Sequence, residues 1–172
     1  MTSPVFGVTG WKNSGKTTLV TRLLAELVRR GLVVSTVKHA HHAFDIDKPG
    51  TDSHRHREAG ASEVMIVSGN RWALMHELRK EDEPPMSQAL ERISPCDLVL
   101  VEGYKREPHP KIEARRRDST KSGLLAPEDP TIVAIAADHP TPDDGRPLFD
   151  LDDISGIADF IVAHLELDTG HG

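Results

Sequence analysis

"GWKNSGKTT", residues 10–18, carries the spacing G-x-x-x-x-G-K-[S/T] of a phosphate-binding loop. That spacing is informative only between a strand and a helix, and both flanks supply one. "PVFGVTG" (4–10) is a short apolar run ending in glycine, which predicts a buried strand and a tight turn. "KTTLVTRLLAELVRRG" (16–31) places Val20, Leu23, Leu24, Leu27 and Val28 on one helical face, with Arg29 and Arg30 in the last turn and Gly31 as the stop. "LVVSTVK" (32–38) predicts a second strand. Strand, glycine loop, helix, strand is a βαβ unit, so the expected fold class is α/β around a mainly parallel sheet.

The loop's chemistry follows from its residues. Gly10 and Gly15 adopt backbone angles that other residues avoid, letting successive amides turn inward toward an anion at a helix N-terminus. Lys16 reaches terminal phosphates as a point charge, and Thr17 offers a hydroxyl to Mg²⁺. Lys12, inside the loop, has a supporting role. A second acid is needed for the metal, and Glu102 supplies it, at the end of the apolar run Leu98-Val99-Leu100-Val101. The carboxyl ends of parallel strands line the ligand crevice. Asp97, at the other end of that run, is expected to be remote.

Further along, "KHAHHAFDIDKPGTDS" (38–53) sets Asp45, Asp47 and Asp52 after the second strand, where one of them can orient a water. His39, His41, His42, His54 and His56 invite a transition-metal reading, against loop histidines that only hydrogen-bond. N-K-x-D, the guanine-reading motif of many GTP-binding proteins, is absent. Asp138, ending "IVAIAAD", can accept two hydrogen bonds from a guanine edge or can simply start the turn before His139-Pro140. Arg115-Arg116-Arg117 reads by default as a solvated strand face, and otherwise as a lid over phosphates or a patch for an anionic partner.

The remaining organisation is that of one domain over 1–172. A hairpin is expected over 63–78 around Gly69-Asn70, short helices near Ser53–Ala59 and Met86–Ile93, a strand near Ile112 and a buried strand over 131–138. A turn-rich connector is expected over 139–153, then a final helix from Ser155 capped by Asp152, Asp153 or Ser155, and a frayed tail over 168–172. Lys and Arg number 21 against 27 Asp and Glu, a net charge of −6, which disfavours nucleic acid as a partner. The one cysteine, Cys96, excludes an internal disulfide and fits a reducing cytoplasm. No run approaches the about 20 apolar residues of a membrane helix, and no signal peptide is read at the N-terminus.

"GWKNSGKTTLV", "VKHAHHAFDIDKPGTDS", "RWALMHE", "DLVLVEGYK" and "DLDDISGIADFI" together resemble the MobB family of molybdopterin-guanine dinucleotide biosynthesis adaptor proteins, in order from about residue 4 to 165. The resemblance implies a three-layer P-loop nucleoside-triphosphatase fold with a β-hairpin extension, a homodimer, and binding of GTP with Mg²⁺ followed by slow hydrolysis. It implies help to MobA, the guanylyltransferase that joins GMP to molybdopterin, and leaves open whether molybdopterin itself binds. By position, Gly10 to Thr18, including Asn13, Ser14 and Thr18, take the family's nucleotide role, Glu102 that of its metal-side acid, and Asp45, Asp47 and Asp52 fall in its switch-like segment. Two alternatives stay open on the residues alone: a metal-chaperone GTPase, from the histidines, and a small-molecule kinase, with Arg115–Arg117 as lid.

Overall fold

The computed structural model describes residues 3–40, 44–119 and 123–168. The chain packs as two units, the first formed by the chain up to His39 and from Met86 onward, the second by residues 40–85.

The first unit is built on a six-stranded sheet. Its strands are β1 (Val5–Thr9), β2 (Val34–Lys38), β5 (Leu98–Glu102), β6 (Lys111–Arg115), β7 (Ile132–Ala137) and β8 (Leu148–Asp150), in the order β2-β5-β1-β6-β7-β8. Every pairing is parallel. From β1 the chain goes first to one side, through β2 and β5, and later to the other, through β6, β7 and β8. The carboxyl end of β1 is therefore the switch point at which open α/β sheets bind ligands.

One face of the sheet is apolar. Phe6, Val8, Leu98, Leu100, Ile112, Ala114, Ala134 and Ala136 pack there against Leu19, Leu23 and Leu27 of α1 (Lys16–Arg29) and Ile157, Ala158 and Ile161 of α4 (Ile154–His164). Asp153 caps α4 by accepting from the Gly156 amide, as one of the expected caps. On the opposite face Val99 and Val101 meet Met86 of α3 (Met86–Glu91). That face changes character at β6, where Lys111, Glu113 and Arg115 alternate with Ile112 and Ala114 and are all buried.

The reading of 115–117 as a solvated face holds for Arg116 and Arg117, which are exposed, and is corrected at Arg115. Arg115 is 5% exposed and bonds Glu113 at 2.7 Å, Thr141 and the Pro142 carbonyl. Glu113 in turn accepts from the Leu125 and Ala126 amides, both at 2.9 Å. Lys111 donates to the Glu107 carbonyl and to Thr131, both at 2.6 Å. Charges leave water only when such partners are supplied. A second difference is β8, inside the expected connector. At three residues it is too short to show a period, and it forms because its register against Ile135–Ala137 of β7 supplies its backbone partners.

The second unit holds α2 (Asp52–Glu58) and the hairpin of β3 (Glu63–Val67) and β4 (Trp72–His76), antiparallel as expected. Val64 and Met75 face inward, while Met65, Val67, Trp72 and Leu74 present an exposed apolar face. His41 and His42, and residues 169–172 of the expected frayed tail, lie outside the described residues.

His109 lies under β1. It is buried, and neither ring nitrogen has a partner among the described residues. Residue 7 is glycine because a Cβ there would overlap the imidazole Nε2 and stand 2.7 Å from Cδ2. Burial, and then the Lys111 charge, push the His109 pKa down to about 4, against a partial upward pull from Asp129.

Two outcomes follow. Leu23→Ala, at the contact of α1 with the sheet, is expected to cost about 2–5 kcal/mol in urea unfolding. The folded protein holds His109 neutral where the unfolded chain protonates it. Its contribution is therefore complete above about pH 6.5 and is lost as pH falls toward about 4. Between about pH 6.5 and about pH 5, before most carboxylates titrate, the wild-type urea midpoint should fall, and His109→Gln should flatten that slope.

Candidate functional site

Strand register builds the site. Val8 and Lys38 both lie beside Glu102, so β2, β5 and β1 finish at one level and present Lys38, Glu102 and the loop together. Beyond Thr9 the chain turns through Gly10 (φ 147°), Asn13 (φ 64°) and Gly15 (φ 88°), the last standing as N-cap of α1. Left-handed residues at this spacing turn amides toward a common centre, ahead of a helix N-terminus. A Cβ on Gly10 would come within 2.6 Å of the Ala114 carbonyl oxygen, so the turn is closed to larger residues. Ser14 is 1% exposed, and its hydroxyl has no partner among the described residues. A buried donor inside such a loop suits a phosphate oxygen.

Thr17 and Glu102 meet directly. The threonine hydroxyl donates to Glu102 Oε1 at 2.6 Å, and Lys38 Nζ lies 3.4 Å from the same oxygen. A hydroxyl and a carboxylate so placed can supply two of the oxygen ligands that a hard divalent cation takes. Lys16 donates to the Trp11 carbonyl at 2.7 Å. Its pKa is lowered, first by burial and then by the Lys105 charge. Glu102 partly opposes this, and Lys38 adds to it. Lys12 is exposed, and its carbonyl accepts from the Ser119 hydroxyl at 3.3 Å. Asp97 sits at the other end of β5, bonded to the Val33 amide at 2.7 Å.

A cleft of about 210 Å³ opens on the other flank of the loop, lined by Gly15, Thr18, Arg22, Arg116, Asp138 and Asp152, with Leu19 and Leu151. Asp138 Oδ1 accepts from His139 Nδ1 and the Arg117 amide, both at 2.8 Å, while Oδ2 lies 3.9 Å from Arg116 Nε. The His139 hydrogen bond is the main reason its carboxyl stays below the usual range. Arg22 is ion-paired with Asp152. Asp138, read in sequence either as a base reader or as a turn-starting residue, shares one cleft with Thr18 and Gly15 of the loop. Arg22, Arg116, Leu151 and Asp152 were not singled out for it. Only β8, by fixing residues 151 and 152 beside β7, brings the last two there.

Asp45, Asp47 and Asp52 belong to the second unit. Arg57 gathers Asp47 at 2.6 Å, Glu77 at 3.0 Å and Asp45 at 3.1 Å. The Asp47 carboxyl is held below its usual range, chiefly by the Arg57 hydrogen bond. Asp52 is exposed at the start of α2. Among the described residues no three His, Cys, Asp or Glu side chains gather as a metal site.

The family model described as Molybdopterin guanine dinucleotide synthesis protein B matches residues 5–138. Over 159 residues the chain is 44% identical to the molybdopterin-guanine dinucleotide biosynthesis adapter protein of Haemophilus influenzae, covering 92% of this chain and 87% of that one. It is 37% identical over 169 residues to the Escherichia coli protein of the same name, covering 97% and 96%. Among solved structures it is similar to a molybdopterin-guanine biosynthesis protein B, with TM-score 0.72, 28% identity and coverage of 94% and 99%. Bacillus subtilis MobB follows with TM-score 0.71, 27% identity and coverage of 94% and 98%.

Gly10→Ala tests the loop geometry. The added methyl meets backbone at a left-handed φ, and the expected loss is at least about 1 kcal/mol of stability by urea unfolding.

Proposed function

The chain belongs to the molybdopterin guanine dinucleotide synthesis protein B family, and from that premise we propose that it is a GTP-binding adaptor that hydrolyses GTP slowly and assists a MobA-type guanylyltransferase in joining GMP to molybdopterin. The observation that carries the nucleotide part is the Thr17–Glu102 hydrogen bond beside the phosphate loop. Loop amides, the Ser14 hydroxyl and Lys16 bind the β- and γ-phosphates. Thr17 and Glu102 hold Mg²⁺, which supplies charge neutralisation at those phosphate oxygens. In the flanking cleft Asp138 accepts from the N1–H and N2–H₂ edge of guanine, a donor pair that adenine lacks. Slow turnover suits a chain whose one glutamine, Gln88, belongs to α3. Fast GTPases place a glutamine to orient the attacking water. A homodimer accords with the exposed apolar hairpin face of Met65, Val67, Trp72 and Leu74.

Calorimetry with Mg²⁺ tests the reading. GTP should bind at least about tenfold tighter than ATP, a difference of about 1.4 kcal/mol. Asp138→Asn should narrow that preference. Glu102→Ala should weaken Mg²⁺-dependent binding, and Lys16→Ala should abolish binding in a protein that stays folded by circular dichroism. ATP binding as tightly as GTP would overturn the guanine assignment, and retained GTP affinity in Lys16→Ala would overturn the loop assignment.

A further inference from the structure

Beyond Glu102 the chain reverses sharply. Gly103 (φ 91°) and Tyr104 (φ 48°) are consecutive left-handed residues, and the Glu107 amide donates to the Tyr104 carbonyl at 3.1 Å to close the turn. Two further contacts pin it. The Gly103 amide donates to Val8 at 3.1 Å, and the Tyr104 ring lies 4.8 Å from the ring of His39. A Cβ on Gly103 would stand 3.2 Å from that of His39, so the reversal is tightly packed. Its result is that Lys105 is carried back over the phosphate loop, with its Nζ 4.2 Å from the centroid of the Trp11 ring. That ring is itself fixed, since Trp11 Nε1 donates to the Gly123 carbonyl. Trp11 is the second residue of the loop, and its carbonyl takes the Lys16 ammonium. Lys105 and Lys16 thus converge on one loop residue.

We propose that Lys105 reads the terminal phosphate, giving the chain a preference for nucleoside triphosphate over diphosphate, with the Trp11 ring as its platform. This deepens the nucleotide-binding reading above and rests on it. Position supports it: Lys105 follows Glu102 by three residues and so lies toward the metal-side acid, while Asp138 and Arg116 line the cleft on the other flank. Charge supports it as well. Lys105 and Lys16 both reach Trp11, one over its ring and the other at its carbonyl, so two ammonium groups meet at one loop residue. An added phosphate between them relieves their repulsion, and a diphosphate that stops short does not. The aromatic face holds the lysine in place by cation–π attraction.

The test compares guanosine 5′-thiotriphosphate, which resists hydrolysis, with GDP, both with Mg²⁺, by calorimetry on the full chain. Lys105→Met is expected to narrow the triphosphate-to-diphosphate affinity ratio about tenfold, as for loss of one charge-assisted hydrogen bond. GDP affinity should stay within about threefold, and Lys105→Arg should retain the ratio. In a Trp72→Phe background Trp11 is the one remaining tryptophan. Its emission should then separate thiotriphosphate from GDP, and Lys105→Met should abolish the difference. An unchanged ratio, or equal weakening of both ligands, would overturn the proposal and leave Lys105 a purely structural cation. Wild-type protein that binds neither ligand would instead overturn the nucleotide reading itself, and this inference with it.

Discussion

The candidate site turns on one hydrogen bond between helix and strand, from Thr17 in the first turn of α1 to Glu102 at the end of β5. It forms only if β1 and β5 end level, and the register of Val8 beside Glu102 ensures that. The levelling comes in turn from the apolar face that Phe6, Val8, Leu98 and Leu100 share beneath α1. A one-residue slip would turn those side chains to the opposite face and carry Glu102 away from the helix. The same packing that buries the core thus sets the distance between hydroxyl and carboxylate.

Charge is divided along the loop in a way the whole-chain figure conceals. The protein carries −6 overall, yet on this flank Lys38 lies 3.4 Å from the Glu102 carboxylate while Lys16 and Lys105 both meet Trp11. On the other flank Asp138 and Asp152 are balanced by Arg116 and Arg22. One flank suits an anion and the other a polar ring with donors to give. A low-dielectric cleft sharpens both preferences.

Local signals made much of this legible. The loop spacing, the helical face of α1 and the acid closing an apolar strand are each short-range, and each lies where the structure puts it. The hairpin at Gly69-Asn70 was similarly plain. What stayed hidden depends on partners distant in the chain. β8 exists because β7 offers it backbone groups, and without β8 the contribution of Leu151 and Asp152 to the cleft has no sequence signature. Arg115 reads as surface until Glu113, Thr141 and Pro142 surround it. The acids at 45 and 47 read in sequence as candidates to orient a water, with no sign that Arg57, ten residues beyond the second, collects them both. In each case a polar residue's fate is set by tertiary pairing, to which periodicity is blind.

The buried charges of β6 also impose an order of assembly. The partners that let Glu113 and Arg115 leave water are supplied by residues 125, 126, 141 and 142, all later in the chain. β1 and β5 can pair as soon as they exist, because the side chains they turn into the core are apolar. β6 cannot, for a desolvated charge without its partner costs several kcal/mol. On a ribosome the glycine loop would therefore emerge early, beside a half-built sheet. The strand that closes its far side must wait until the chain has passed Pro142.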